Sequence, residues 1–228
     1  MAPPITHIET HVRRRSGKTE ETRNRILEES IKLFIEQGYE KTTTRQILQK
    51  VGILNGSLYN IYKSKEDIFS DIILMSIAEV MNQAPRHIPD GKDKIDSLTY
   101  LLCIEMYISN RSQRISELLC IANENWNIRR RVDEMVVKWV NAVNAFGSTP
   151  TSVDNPFLRM NACTGAAFVM IERMANEPGS IDEKAAMIII TEAVNALFRK
   201  ESDAKATVEG LLDSFSREEI VVCGQRIL

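Results

Sequence analysis

Apolar residues recur at helical spacing along most of the chain, and glycines, prolines and capping residues cut that pattern into segments. Ile26, Leu27, Ile31, Phe34 and Ile35 form a first stripe that stops at Gly38. Thr19 can cap this helix, and Glu20 and Glu21 suit the positive end of its dipole. Thr43, with Gln46 three residues on, makes a capping box for a second helix whose apolar face is Ile47, Leu48 and Val51. Gly52 allows the positive φ that ends it. A third, short helix is predicted over 55–62, with Leu58, Ile61 and Tyr62 inward and Asn55, Ser57, Tyr59 and Asn60 outward. A fourth starts at the cap Ser64 and fades near Pro85. Beyond the polar break HIPDGKD, helices are predicted over 94–110, 112–123 and 127–146. Beyond the break GSTPTSVDNP they are predicted over 157–176, 180–200 and 206–215. No strand-like alternation persists, so the predicted fold class is all-α: an N-terminal three-helix helix-turn-helix unit followed by a larger C-terminal helical domain.

The outward face of the third helix is small, polar and hydrogen-bonding, and Arg45, Lys50, Lys63 and Lys65 surround it. Such a face suits a recognition helix in the DNA major groove, with cations on the phosphates. Thr43, Tyr59 and Lys65 are the candidate phosphate contacts. Arg45, Asn55, Gly56, Ser57 and Asn60 are the candidates at or near base edges. Gly38-Tyr39, TTTRQI, Val51-Gly52-Ile53, Gly56-Ser57-Leu58-Tyr59 and Tyr62-Lys63-Ser64-Lys65-Glu66, in that order and spacing, resemble the DNA-binding domain of TetR-family transcriptional regulators. Four positions depart from the family's pattern, Asn60 and Ile61 standing where more polar or aromatic residues are frequent. Leu54 stands where a capping Ser or Thr is frequent, and Asn55 where lysine is common. Asn55 could cap instead and start the helix one residue later.

Charge distribution agrees with a nucleic-acid-binding front. Residues 1–65 hold 12 Lys and Arg against 7 Asp and Glu, and the rest of the chain 17 against 24. Residues 1–17 read as a basic arm; Arg13, Arg14 and Arg15 suit a minor groove, and a solvated tail is the simpler reading. The expected organisation is this arm, a helix-turn-helix domain over 18–63 and a regulatory domain over 64–228. Cys103, Cys120, Cys163 and Cys223 form no C-x-x-C pair and share no zinc spacing with His7, His11 and His87. Reduced, mostly buried thiols are expected, with no metal and no cofactor. There is no apolar leader and no run long enough for a membrane span, so a cytoplasmic protein is expected. No nucleophile elbow or phosphate-cradling glycine loop is present, which argues against an enzyme.

In the family resembled, the fourth helix links a ligand site to the reading head, and the last long helix pair meets its copy in a four-helix dimer interface. Ala162, Gly165, Ala166 and Ala167, with Ala185, Ala186, Ala193 and Ala196, give 157–200 the small residues for such a homodimer, although the pair could equally close a monomer core. Glu105 lies alone in the apolar segment TYLLCIEMYI. It either meets a cationic or hydrogen-bonding ligand, or faces water, or pairs with Arg114 or Arg159. Tyr100, Cys103, Met106, Tyr107, Trp126, Trp139 and Phe168 complete the candidate ligand set, and the same residues at helical spacing also suit plain core. The expected function is a DNA-binding transcriptional regulator: a homodimeric repressor released from a palindromic operator on double-stranded DNA by a small-molecule effector. An activator or a constitutive DNA-binding protein is the alternative.

Overall fold

The computed structural model describes residues 17–88, 94–141, 155–222 and 225–226. The proposed arm, except Gly17, and residues 142–146 of the helix predicted over 127–146 lie outside the described residues. Three helices come first: α1 (Gly17–Gln37), α2 (Thr44–Val51) and α3 (Asn55–Tyr59). Then come α4 (Lys65–Gln83), a 3-10 turn at Ala84–Arg86, α5 (Lys94–Arg111), α6 (Gln113–Glu124) and α7 (Trp126–Asn141). The series closes with α8 (Pro156–Asn176), α9 (Glu183–Phe198) and α10 (Ala204–Arg217). Among the described residues the fold is all-α apart from β1 (Val221–Val222) and β2 (Gln225–Arg226), an antiparallel pair of two-residue strands that the sequence pattern did not indicate.

Helix boundaries follow from caps. Ser64 accepts the backbone N–H of Asp67 at the start of α4, and Asp182 and Asp203 do the same for α9 and α10. Asp182, not Ser180, therefore sets the start of α9. Thr19 falls inside α1, which already runs from Gly17.

Helix α4 joins the two halves of the molecule: it packs on α1 along one side and on α5 and α7 along another. Ile68, Phe69, Ile72, Ile77 and Met81 are buried in that seam. Phe69 meets Phe34 edge-on at 5.5 Å and Tyr39 at 4.6 Å, so the end of α1 and the first turn of α4 share one aromatic cluster. Helix α5 runs through the centre of the rear half and touches α4, α6, α8 and α9. That position explains why its sequence is apolar nearly all round.

Candidate nucleic-acid interface

The turn that positions α3 is built from local chemistry. Thr43 and Gln46 form a reciprocal capping box: Gln46 N–H donates to Thr43 Oγ1 at 3.2 Å, and Thr43 N–H donates to Gln46 Oε1 at 2.8 Å. At the other end of α2, Gly52 takes φ 70° and its N–H bonds Leu48 O. An L-residue there is strained by its Cβ, which is why glycine ends this helix. Arg25 donates from α1 to Val51 O at 2.6 Å, adding a cation at the negative end of α2. Thr42 is buried and donates to Gly38 O at 2.8 Å, tying the loop to the end of α1.

Helix α3 is shorter than the predicted 55–62. The N–H groups of Ile61 and Tyr62 both turn back to Leu58 O, so the chain leaves the helix at Asn60. Tyr62 is thereby buried, and its hydroxyl donates to Asp71 at 3.0 Å. Leu58 anchors α3 to the core, while Asn55, Gly56, Ser57, Tyr59 and Asn60 are exposed. Asn55 does not cap. The helix starts on it, and the N-cap is Leu54, extended, 81% exposed and without a side-chain cap bond. Nothing lies within 4 Å of where a Cβ on Gly56 would project.

Of the other candidates, Arg45 is exposed on α2. The Thr43 hydroxyl is engaged in its cap. Lys65 is half-buried: its Nζ donates to Tyr39 O at 2.8 Å and sits 4.0 Å from the Tyr39 ring centroid. Burial pushes its pKa down, with Glu40 opposing. Lys65 thus fastens the loop before α2 to the first turn of α4. Asp71 was not anticipated from sequence. Its Oδ2 accepts from Arg23 at 2.8 Å as well as from Tyr62, and its Oδ1 accepts from Arg131 at 3.1 Å. The other guanidinium arm of Arg131 holds the Ser70 hydroxyl. One carboxylate on α4 therefore joins α1, the end of the turn after α3, and α7. The signal in the sequence is a lone aspartate within FSDIILM.

Behind the head, α4 to α8 line a partly open cavity of about 540 Å³. Among the candidates, Glu105, Trp126 and Phe168 line it. Tyr100, Cys103, Met106 and Tyr107 lie elsewhere in the core. Tyr100 stacks on His87 at 5.0 Å, Tyr107 packs on Phe215, and Cys103 Sγ is 3.8 Å from Thr191 Oγ1. Trp139 is partly buried against the core and is absent from the lining. Glu105 pairs with neither Arg114, which holds Glu117, nor Arg159, which donates to Leu197 O. Surrounded by aliphatic side chains, its carboxyl is pushed up to about 8 by desolvation. Asp133 on α7, 8% exposed, also lines the cavity; burial raises its pKa and Arg129 partly opposes this. Among the described residues there is no group of three His, Cys, Asp or Glu placed to hold a metal, and no helix long and apolar enough to cross a membrane.

Residues 26–72 match the family described as bacterial regulatory proteins, tetR family. The chain is 32% identical over 68 residues to the HTH-type transcriptional regulator AcrR of Shigella flexneri, covering 30% of this chain and 32% of that one. It is 32% identical over 87 residues to the HTH-type transcriptional repressor KstR2 of Rhodococcus jostii, covering 38% and 42%. The chain thus spans less than half the length of either relative. A tetR-family transcription regulator of Shewanella sp. PV-4 superposes with a TM-score of 0.52 at 16% identity, over 75% of this chain and 97% of that one. One from Syntrophomonas wolfei gives 0.52 at 16% identity, over 78% and 96%. These two likenesses extend the shared fold through the helical rear half. The matched segment holds the capped turn, α3 and the start of α4, and over that segment the chain carries the N-terminal domain of the tetR family of bacterial regulatory proteins.

Proposed function

We propose that this chain regulates transcription by inserting α3 into the major groove of an operator on double-stranded DNA. The observation that carries this reading is the exposed face of α3. Asn55, Ser57, Tyr59 and Asn60 project from a helix anchored by Leu58, and Gly56 leaves the backbone open to close approach. Tyr59 and Arg45 stand free to meet phosphate or base edges. Lys65 has one donor on Tyr39 O, which leaves two N–H groups for a phosphate.

The same reading makes the chain a homodimer through α8 and α9. Leu158, Val169 and Ile189 are 60%, 63% and 52% exposed, and Ala162, Gly165, Ala166, Ala185 and Ala196 lie exposed beside them. A wide apolar face with small side chains suits close packing against a second copy, and two-fold symmetry matches a palindromic operator. A repressor released by a small molecule is favoured over a constitutive binder by the cavity between α4 and α8, which a ligand-free regulator does not need.

The test is a titration of labelled DNA from upstream of the protein's own gene at two salt concentrations, with unrelated DNA as competitor. Competitor-resistant binding with a steep salt slope is expected. Equal, weak binding to that DNA and to a pool of random genomic fragments would refute a specific regulator.

A further inference from the structure

The cavity has a charge pattern that selects a class of ligand. Its interior carries Glu105 from α5 and Asp133 from α7. Among the described residues neither carboxylate has a hydrogen-bond donor or a close ion pair. Asp133 is more than nine-tenths buried yet lines the cavity. Glu124 and Glu172 add two exposed carboxylates at the rim. Arg129 is the one cation in the lining among the described residues; it is exposed, its guanidinium carbon lies 5.1 Å over the Trp126 ring, and its charge only partly opposes the raised pKa of Asp133. The rest of the wall is largely aliphatic, with Phe168 facing the same space.

A half-buried and a buried carboxylate without hydrogen-bond donors are costly to ionise, and a neutral hydrogen-bond donor satisfies only part of that cost. A positive charge on an apolar body offsets that cost: the charge meets the acids that line the space and the body fills the aliphatic and aromatic wall. An anionic ligand of the same shape meets the reverse field. A cavity of about 540 Å³ is within the range that holds a drug-sized molecule.

We propose that this cavity is a binding site for hydrophobic cations, with Glu105 and Asp133 as the groups that select the charge. The proposal rests on the reading of the cavity as the effector site and names its ligand class. Burial holds the Glu105 carboxyl near 8, so the group is largely protonated at neutral pH until a cation arrives; a cation nearby favours its ionised form. The other titratable groups facing the cavity are Glu124, Arg129, Asp133 and Glu172; α4 contributes only Ile73 and Ile77.

A pair of probes with one shape and opposite charge tests this directly: tetraphenylphosphonium and tetraphenylborate, titrated calorimetrically into the full chain without DNA. Tetraphenylphosphonium is expected to bind at least tenfold more tightly than the borate. Glu105→Gln and Asp133→Asn are each expected to weaken it by about tenfold, since neither amide can ionise to meet the cation, while the Tm stays equal or higher because each replaces a carboxyl that is costly to ionise where it sits. Two variants on separate helices keep the test decisive if one fails to fold. Equal or tighter binding of the borate, no binding of the phosphonium, or phosphonium binding unchanged in both variants would overturn the proposal. DNA release is scored separately. Phosphonium that binds without releasing DNA leaves the cation site standing and refutes its role as the effector site. Release by an uncharged or anionic compound, with no phosphonium binding, does the opposite.

Discussion

Asp71→Ala removes the carboxylate that joins α1, the turn after α3, and α7. Three hydrogen bonds go: from Arg23 at 2.8 Å, from the Tyr62 hydroxyl at 3.0 Å and from Arg131 at 3.1 Å. Hydrogen bonds to charged groups contribute about 1.5–3 kcal/mol each when buried. Here the side chains of Asp71, Arg23 and Arg131 are 19%, 21% and 33% exposed, so solvent screening reduces the two ion pairs, the Arg131 pair most. A net loss of about 2–3 kcal/mol remains, which for a chain of this size lowers Tm by roughly 4–12 °C. The assay is thermal unfolding at one fixed protein concentration, because self-association would make Tm concentration-dependent. The cycle of Asp71→Ala with Arg23→Ala sharpens it. The two changes share one interaction, so the double variant should lose about 1 kcal/mol less than the sum of the singles. A Tm within a degree of the parent, or strict additivity, would refute the claim that this carboxylate fastens the reading head to the rear half.

Glu105 imposes a pH dependence of known sign. Its pKa rises from an ordinary 4.5 to about 8 on folding through desolvation, so the folded state binds more protons between those values. Stability is fully present below pH 4.5 and falls as pH rises toward 8, at no more than about 1.4 kcal/mol per pH unit. Glu105→Gln should flatten that part of the Tm profile; an unchanged profile would place the titrating group elsewhere. Leu54→Ser supplies the missing cap of α3 at an exposed, extended position and should stabilise the chain by about 0.5–2 kcal/mol, seen as a higher urea midpoint. A midpoint that falls would mean Leu54 makes a contact in solution that its exposure does not suggest.

The reading head was legible because its determinants are local. Thr43 with Gln46, Gly52 and Ser64 each act within one turn of chain, and the structure forms each cap at the residue predicted. The end of α3 was not legible, because Ile61 and Tyr62 continue the apolar spacing. Only the Tyr62–Asp71 bond, made by residues that come together in the fold, shows why the chain turns away there. The cavity was half legible for a related reason. Helix α5 is apolar on nearly every side, so periodicity could not tell Leu101, Leu102 and Glu105, which line the space, from Tyr100, Cys103 and Tyr107, which pack in the core. Asp133 sits in the charged run NIRRRVDEM and looks like any solvated helix face until α7 is seen to turn it inward.

The central claim is that α3 reads DNA, and Tyr59→Ala tests it most directly. The ring is 56% exposed, so its loss should leave Tm unchanged within the scatter for surface substitutions. Fluorescence anisotropy on DNA from upstream of the gene should then show affinity at least tenfold weaker than the parent's at the same salt. A variant that stays folded and binds that DNA as tightly as the parent would contradict the account.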